Sequence, residues 1–246
     1  MRDIRKLMLC LMVIAMACGT AFAGSITFLT PAGANEASGG QAVAAEALVT
    51  MGAGFVTVQL WNLLGTGSNP SISNAGQLLS DFDFTLGSTA GSVSYAAGTS
   101  GSANLVEIAR DGGATADGAT AQLGWGLSLG GNTITVDGLG GGNTPSDLLV
   151  GAACSSGSYC NANRSIGGNG PHNPFASNSV TFTINASAVT AATTVTAADF
   201  SFGTASGDDV PGTPVSAVPE PPSCMLLGAG LLGLGLVMRR RFMPAA

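Results

Sequence analysis

Two aspartates, Asp81 and Asp83, have the spacing in this chain that best suits cation binding or acid–base catalysis. They alternate with Phe82 and Phe84, so in a β-strand both carboxylates point to the same solvated face, about 7 Å apart. Carboxylates paired in this way can hold Ca²⁺ or act as the acid and base of a glycoside hydrolase. A solvated strand face is the simpler interpretation and the one we favour, so the sequence predicts no metal site here.

Little else in the chain suggests catalysis. His172 is the sole histidine and lies in a turn-rich stretch, without a second histidine or a nucleophile beside it. The serines are numerous, and none stands in a context that nominates it as a nucleophile. Asp208 and Asp209 precede a proline-rich stretch and suit a loop Ca²⁺ site and plain solubility equally well. The sequence therefore predicts no catalytic residue, no cofactor and a protein that is not an enzyme.

The two tryptophans could serve as platforms on which sugar rings stack. Trp61 is out of phase with the apolar residues Val56, Val58 and Leu60, which directs it to the solvent side of a strand. Trp125 is flanked by two glycines, which would leave its ring face open. Packing in the core or at a sheet edge is the interpretation we favour for both side chains.

The elements that position these residues are predicted to be short strands between turns rich in Gly, Ser and Asn. Several runs alternate between apolar and polar residues, which indicates one buried and one solvated face. Asp117-Gly118 is predicted to be a turn. Strands are predicted at Ser25–Leu29, Phe55–Trp61, Leu79–Leu86, Ser92–Ala96, Asn104–Ala109, Gln122–Leu129, Thr133–Asp137, Asp147–Ala152, Ser179–Asn185 and Asp199–Gly203.

The predicted fold class is all-β. Gln41–Thr50 is helix-prone by composition, but its valines and alanines alternate, and we predict that it forms a hairpin with the strand at Phe55. Strands roughly every ten residues indicate an antiparallel β-sandwich or jelly roll. A right-handed β-helix is the alternative, although no strict short repeat supports it.

The C-terminal tail contains, in order, the features of a membrane-targeting segment. Val218-Pro219-Glu220-Pro221 opens an extended, helix-excluding spacer, the apolar run Cys224–Met238 follows, and Arg239-Arg240-Arg241 comes next. The apolar run spans about 22 Å as a helix against a hydrocarbon core of about 30 Å. A buried core helix is the alternative, but three arginines suit a stop-transfer signal better, and they keep the body on the opposite side of the membrane.

This tail resembles the PEP-CTERM sorting signal of bacterial surface and secreted proteins, which is also catalogued as the C-terminal domain of some ice-binding proteins. The resemblance covers about the last tenth of the chain. It implies that an exosortase recognises Pro219-Glu220-Pro221 and releases or transfers the protein, usually in a Gram-negative bacterium that makes extracellular polysaccharide. The short span and the residues after Arg241 depart from the common pattern.

The N-terminus predicts export. Arg2, Arg5 and Lys6 precede an apolar stretch, and Ala21-Phe22-Ala23 forms an A-x-A cleavage site, so residues 1–23 are predicted to be a signal peptide read by Sec-type export machinery. Lipid modification of Cys18 is a weaker alternative, because Ala15-Met16-Ala17 is a poor lipobox.

Charge and cysteine content narrow the partners of the exported body. Between the two ends, the body contains Arg110, Arg164 and twelve acidic residues, with no lysine. Nucleic acid and anionic lipid surfaces bind basic patches, so the sequence predicts neither as a partner. Cys154 and Cys160 are the only cysteines of the body, and in an oxidising compartment they are predicted to form a disulfide. Metal binding by this pair is the alternative, but no second pair completes a zinc site.

The sequence thus predicts a signal peptide at 1–23, an exported β-sandwich domain at 24–210, a proline-rich linker with the sorting motif at 211–222, and a transmembrane helix with a basic cytoplasmic tail at 223–246. The body would be anchored at the inner membrane facing the periplasm, then reach the cell surface or matrix. Non-enzymatic surface or matrix protein is the favoured function, with extracellular polysaccharide as a candidate partner. A carbohydrate- or ice-binding module is the alternative, and a polysaccharide hydrolase acting through Asp81 and Asp83 is a third.

Overall fold

The computed structural model describes residues 24–97, 100–139, 147–155, 157–205 and 207–215, without the side chains of 117–119. Within these ranges the chain is all-β, as predicted, and contains no α-helix. The elements are β1 Gly24–Leu29, β2 Ala45–Met51, β3 Phe55–Asn62, a 3-10 turn Ala75–Gln77, β4 Leu79–Leu86, β5 Val93–Tyr95, β6 Ser102–Ile108, β7 Ala114–Gln122, β8 Gly126–Gly130, β9 Thr133–Asp137, β10 Leu149–Val150, β11 Phe175–Ala186, β12 Val195–Phe202, β13 Asp209–Pro211 and β14 Thr213–Val215.

The strands are hydrogen-bonded in the order β13-β12-β4-β10-β11-β3-β2-β1-β14. Strand β9 pairs with β4 and carries β8, while β5 and β6 pair with β11, and β6 carries β7. All pairings are antiparallel except that of β10 with β11. The sheet does not close on itself, and the described residues belong to one compact unit, Ala23–Ala217.

Alternation along the strands sorts side chains into core and surface. In β4, Phe82 and Phe84 are fully buried while Asp81 and Asp83 are only partly buried. The ring centroids of Phe82 and Phe200 lie 5.1 Å apart, in a tilted arrangement that aromatic pairs favour. Each fully buried phenylalanine contributes roughly 1.5–3 kcal/mol of hydrophobic stabilisation, which fixes the register of the polar residues on the opposite face.

The predicted hairpin at the start of the chain is confirmed. Strands β2 and β3 pair in antiparallel register from Ala45 opposite Asn62 to Met51 opposite Val56. The connection uses Gly54 at a φ of 82°, a conformation that costs glycine nothing. At Gly52 a Cβ would lie 2.1 Å from the Phe55 ring, so this position accepts only glycine without a shift of the ring.

The predicted disulfide joins Cys154 and Cys160, with their Cα atoms 6.0 Å apart. The ring that it closes lies against the turn between β6 and β7. The Tyr159 amide donates to the carbonyl of Gly112 (2.8 Å) and the Ala114 amide to that of Gly157 (2.9 Å). The side chain of Tyr159 is 5% exposed. The disulfide-closed loop is therefore attached to the sheet by a buried side chain as well as by backbone hydrogen bonds.

Two sequence predictions are wrong near strand β7. Gln122–Leu129 is not one strand, because β7 ends at Gln122 and β8 begins at Gly126. Asp117-Gly118 is not a turn but lies inside β7, whose small residues gave no apolar signal.

The predicted linker also begins too early. Residues 209–215 form two short strands, β13 on β12 and β14 on β1. Pro211 and Pro214 lack an amide donor, which an edge strand tolerates. Gly212 lies between them, where a Cβ would be 3.1 Å from the Phe200 ring and 3.3 Å from the Phe28 Cβ.

No helix among the described residues is long and apolar enough to cross a membrane. The predicted transmembrane helix at 223–246 lies outside those residues, and so does the signal peptide at 1–23.

Candidate functional site

The pair of aspartates predicted from the sequence is part of a larger row of polar residues across four strands. Asp209 on β13 is directly opposite Ser201 on β12, which is opposite Asp81 on β4, which is opposite Asp137 on β9. Directly opposed residues in such pairs have Cβ atoms about 4.5–5.5 Å apart. The hydroxyl of Ser201 donates a hydrogen bond to Oδ1 of Asp209, and it also favours the ionised form of Asp81.

A second row runs parallel to the first, one strand repeat away. Asp199 on β12 is opposite Asp83 on β4, which is opposite Thr135 on β9. The Thr135 hydroxyl favours the ionised form of Asp83 and so lowers its pKa. We call the five residues Asp81, Asp83, Asp137, Asp199 and Asp209 the carboxylate ladder.

The ladder leaves two oxygens without partners. Oδ1 of Asp81 and Oδ1 of Asp83 are inaccessible to solvent and accept no hydrogen bond. Buried polar atoms are nearly always hydrogen-bonded, because an unpaired one forfeits its hydration. The ladder is therefore a place where ionised carboxylates are poorly accommodated.

The electrostatics follow from burial and from like charges. The pKa of Asp81 is raised to about 7, chiefly by burial and also by the nearby carboxylates Asp83, Asp137 and Asp209, while the Ser201 hydroxyl opposes the rise. Burial also raises the pKa of Asp83, opposed by the hydrogen bond from Thr135 and assisted by Asp209, Asp199 and Asp137. The pKa of Asp199 is raised by burial and by Asp209.

This arrangement suits proton binding better than acid–base catalysis on a substrate. An acid and base pair needs environments that push the two pKa values apart, whereas the pKa values of Asp81 and Asp83 are both raised, and one oxygen of each is inaccessible. Among the described residues, no group of three or more His, Cys, Asp or Glu side chains is arranged to hold a metal ion. Within the ladder, Asp81 is the carboxyl whose pKa is raised to about 7, and burial also raises the pKa values of Asp83 and Asp199.

A second acidic cluster, which sequence reasoning missed, lies beside the ladder. Glu36 is 3% exposed and Asp208 is 8% exposed, although they are 172 positions apart. Oγ of Ser38 lies 3.0 Å from Oε2 of Glu36 and 2.7 Å from Oδ2 of Asp208. The amides of Gly39 (2.6 Å) and Gln41 (3.1 Å) donate to Glu36. The isolated position of Glu36 in a Gly- and Ser-rich loop gave no signal of this contact.

One serine was overlooked in the sequence. Ser128 is the centre of Gly126-Leu127-Ser128-Leu129-Gly130, the G-x-S-x-G spacing of a nucleophile elbow. In that motif the serine stands on a sharp turn between a strand and a helix. Here all five residues form strand β8, which pairs along its length with β9, so the geometry that activates such a serine does not occur.

The two tryptophans have different surroundings. Trp125 is 2% exposed, its ring centroid lies 5.3 Å from that of Phe182, and its indole N–H donates to the Asp147 carbonyl (3.3 Å). The expectation that flanking glycines open its face is therefore wrong, and the favoured interpretation as a packed side chain is confirmed. Trp61 is partly buried on the polar side of β3, opposite Glu46 on one side and Ser179 on the other.

The remaining predicted residues divide between loops and undescribed segments. His172 is partly buried in the loop before β11. The residues predicted for processing all lie outside the described residues: Ala21, Ala23, Val218, Pro219, Glu220, Pro221, Arg239, Arg240 and Arg241.

Comparison of this chain with protein-family models, with curated proteins and with solved structures gives no match in any of the three.

Proposed function

We propose that this chain is a non-enzymatic exported protein of the cell surface or extracellular matrix, which an exosortase sorts and processes through its C-terminal signal. The single observation that carries the proposal is the order of Val218-Pro219-Glu220-Pro221, the apolar run and Arg239-Arg240-Arg241 at the end of the chain. A spacer, a hydrocarbon-compatible segment and a cationic stop in this order form a transfer signal.

The position of the signal relative to the folded body supports the proposal. Strand β14 ends at Val215, and the motif begins at Val218 after two intervening residues. The last strand of the body therefore ends just before the motif. A cut within Pro219-Glu220-Pro221 would remove none of the fourteen strands.

We further propose that the body is an antiparallel β-sandwich. One layer would contain β13-β12-β4-β9-β8, and the other β14-β1-β2-β3-β11. Contacts between the two sets support this arrangement, since Gly212 approaches both Phe28 of β1 and Phe200 of β12, and the buried side chains of both sets belong to one apolar cluster.

Motif variants in the native host test the sorting proposal. Glu220→Ala and Pro219→Ala should leave the protein uncleaved in the inner-membrane fraction, because the exosortase no longer recognises it. Glu107→Gln, which removes an exposed carboxylate from β6, is the matched control and should be processed normally. Normal processing of both motif variants would contradict the proposal.

A second candidate function, glycan binding, is favoured by the position of Trp61. Its partly exposed ring lies on a strand face beside Glu46 and Gln59, which could bind sugar hydroxyls while the ring stacks on a sugar face. Trp61→Ala should abolish binding on a glycan array. Phe55→Ala, at the far end of the same strand, should not. Equal binding by the two variants would remove this candidate.

A further inference from the structure

We propose that the polar face of β1, β2, β3 and β11 binds an uncharged polysaccharide, which lies across the strands along one row of side chains. The inference rests on the glycan-binding candidate above and deepens it, because it names the class of glycan and extends the site beyond Trp61. It does not depend on sorting by an exosortase.

The row consists of residues that are directly opposite one another on seven strands, and we call it the central row. From β14 to β7 its members are Val215, Thr27, Leu48, Gln59, Thr181, Ser102 and Gln122. None of them is charged, and none is buried. Because neighbouring strands are about 4.8 Å apart, the row is roughly 29 Å long. A track of this length suits an extended chain better than a compact ligand.

The larger part of the central row lies on strands that pair regularly. The pairings of β14 with β1, β1 with β2, β2 with β3 and β3 with β11 run without a shift of register. Shifts occur further along the row, where β6 pairs with β11 and with β7. A bulge bends a strand and increases its twist, so five strands without one form an evenly shaped surface. An extended ligand can therefore contact successive strands.

Polar side chains of the central row are available to a ligand. Thr27, Gln59 and Thr181 make no side-chain hydrogen bond to another described residue. On the strands of the carboxylate ladder, by contrast, the hydroxyls of Thr85 and Thr133 hydrogen-bond each other (2.8 Å). Threonine and glutamine side chains both donate and accept. The central row can therefore bind sugar hydroxyls as donors and as acceptors.

An aromatic side chain beside the central row supplies the apolar contact that a sugar ring needs. Trp61 is two residues after Gln59 on β3, so both are on one face about 7 Å apart. A pyranose ring has apolar C–H faces and a rim of hydroxyls. It can therefore stack on the indole while its rim is hydrogen-bonded by the row.

Charge favours an uncharged glycan over an anionic one. The basic residues of the exported body are Arg110 and Arg164, and both lie in loops, before β7 and before β11. The strands β1, β2, β3 and β11 contain no basic residue and one carboxylate, Glu46, which is opposite Trp61. An anionic chain would meet repulsion from Glu46 and no compensating cation on these strands.

The size of the surface favours a single glycan chain over a second copy of the protein. Flanking rows lie one strand repeat to either side, with Thr50 opposite Thr57 in one and Glu46 opposite Trp61 in the other. Three rows about 7 Å apart and roughly 29 Å long cover on the order of 400 Å². Each partner in a stable protein interface contributes about 800 Å². A chain one sugar ring wide needs only the central row and the flank that holds Trp61.

Isothermal titration calorimetry of the purified full-length chain tests the proposal. The uncharged probes are cellohexaose, xylohexaose and mannohexaose with their disaccharides, and an alginate hexasaccharide is the anionic probe. We expect at least one uncharged hexasaccharide to bind at least tenfold more tightly than its disaccharide, because it reaches more of the central row, and the alginate not to bind. Equal affinity for the two lengths would overturn the extended site, and tighter binding of the alginate would overturn the preference for uncharged chains.

Gln59→Met with Thr181→Val keeps the size of both side chains and removes their hydrogen bonds, so it should weaken binding of the hexasaccharide at least tenfold. Thr115→Val, at an exposed threonine of β7 outside the row, is the matched control and should bind normally.

The failure of this inference can be told apart from the failure of the functions on which it builds. Normal binding by the Gln59 and Thr181 variant, together with loss of binding by Trp61→Ala, would overturn the central row and keep the glycan-binding candidate. Binding of no uncharged probe would overturn both and leave the sorting proposal intact. A dimer in sedimentation velocity that the double variant loses would overturn the inference in favour of a second copy.

Discussion

Two polar strand faces of this protein are built by the same alternation of residues and differ in the residues at the polar positions. On β4 and its neighbours these positions hold the carboxylate ladder. On β2, β3 and β11 they hold Thr50, Thr57 and Thr183, which are directly opposite one another in one row. We call this row the threonine face.

Strand alternation determines where polar side chains lie. The free energy needed to place them there depends on whether they are charged. Threonine hydroxyls both donate and accept, so a row of them has no charge to desolvate. The aspartates of the ladder repel one another and some of them lose water, which raises the pKa values of Asp81, Asp83 and Asp199. The ladder should therefore contribute to the pH dependence of stability, and the row of threonines should not.

A substitution in the apolar core beneath the ladder should have the largest effect on the free energy of unfolding, and the other variants can be compared with it. Phe82→Ala removes a fully buried ring that lies 5.1 Å from Phe200, and should lower the free energy of unfolding by about 3–5 kcal/mol. Because no charge changes, the loss should be equal at pH 5 and pH 8 in urea unfolding. Phe55→Ala, at a residue 41% exposed, should cost less than about 1 kcal/mol. A strongly pH-dependent effect of Phe82→Ala would show that core and ladder are coupled.

The ladder itself should make the protein more stable in acid. The pKa of Asp81 is raised from 3.8 to about 7, so its stabilisation is complete below about pH 4 and is lost as the pH rises to about 7. At 1.36 kcal/mol for each unit, the change is on the order of 4 kcal/mol. Urea unfolding between pH 4 and pH 8 should show this decline, and Asp81→Asn should flatten it. A rise in stability over this range would contradict the account.

Removal of the disulfide, which lies outside both faces, should cause a loss of stability that does not depend on pH. Cys154→Ser with Cys160→Ser opens a small ring and should cost about 2 kcal/mol of unfolding free energy. Because neither cysteine contacts the ladder, thermal unfolding should record the same loss at pH 5 and pH 8. Reduction of the unaltered protein is the matched control and should reproduce the loss.

Placing aspartates on the threonine face should make the free energy of unfolding depend on pH through that face as well. Thr57→Asp with Thr183→Asp places two carboxylates directly opposite each other, and should cost about 1 kcal/mol at pH 8. The cost should shrink at pH 4, where the pair shares protons. Thr57→Asn with Thr183→Asn is the uncharged control. A cost that is independent of pH would mean that packing, not charge, separates the two faces.

Much of the fold could be predicted from alternation alone. The bounds of β4 and β9 agree with the structure to the residue, because large apolar residues at every second position leave one register. Strand β7 was missed because its residues are small, and it forms through pairing with β6. Strands β13 and β14 were missed because Pro211 and Pro214 resemble a linker, whereas an edge position tolerates them.

The candidate site could be predicted only within a single strand. A spacing of two placed Asp81 and Asp83 on one face. Cross-strand register, which one sequence does not reveal, brings Asp137, Asp199 and Asp209 beside them. The contact of Ser38 with both Glu36 and Asp208 was hidden for the same reason, since it joins two loops from opposite ends of the body.

Mass spectrometry of the intact mature protein from its native host tests the central claim most directly, since it reads both ends of an exported chain. The account predicts an N-terminus at Gly24, and a C-terminus or an attached anchor between Pro219 and Pro222. An extracellular protein that still ends in Arg239 to Ala246 would contradict it.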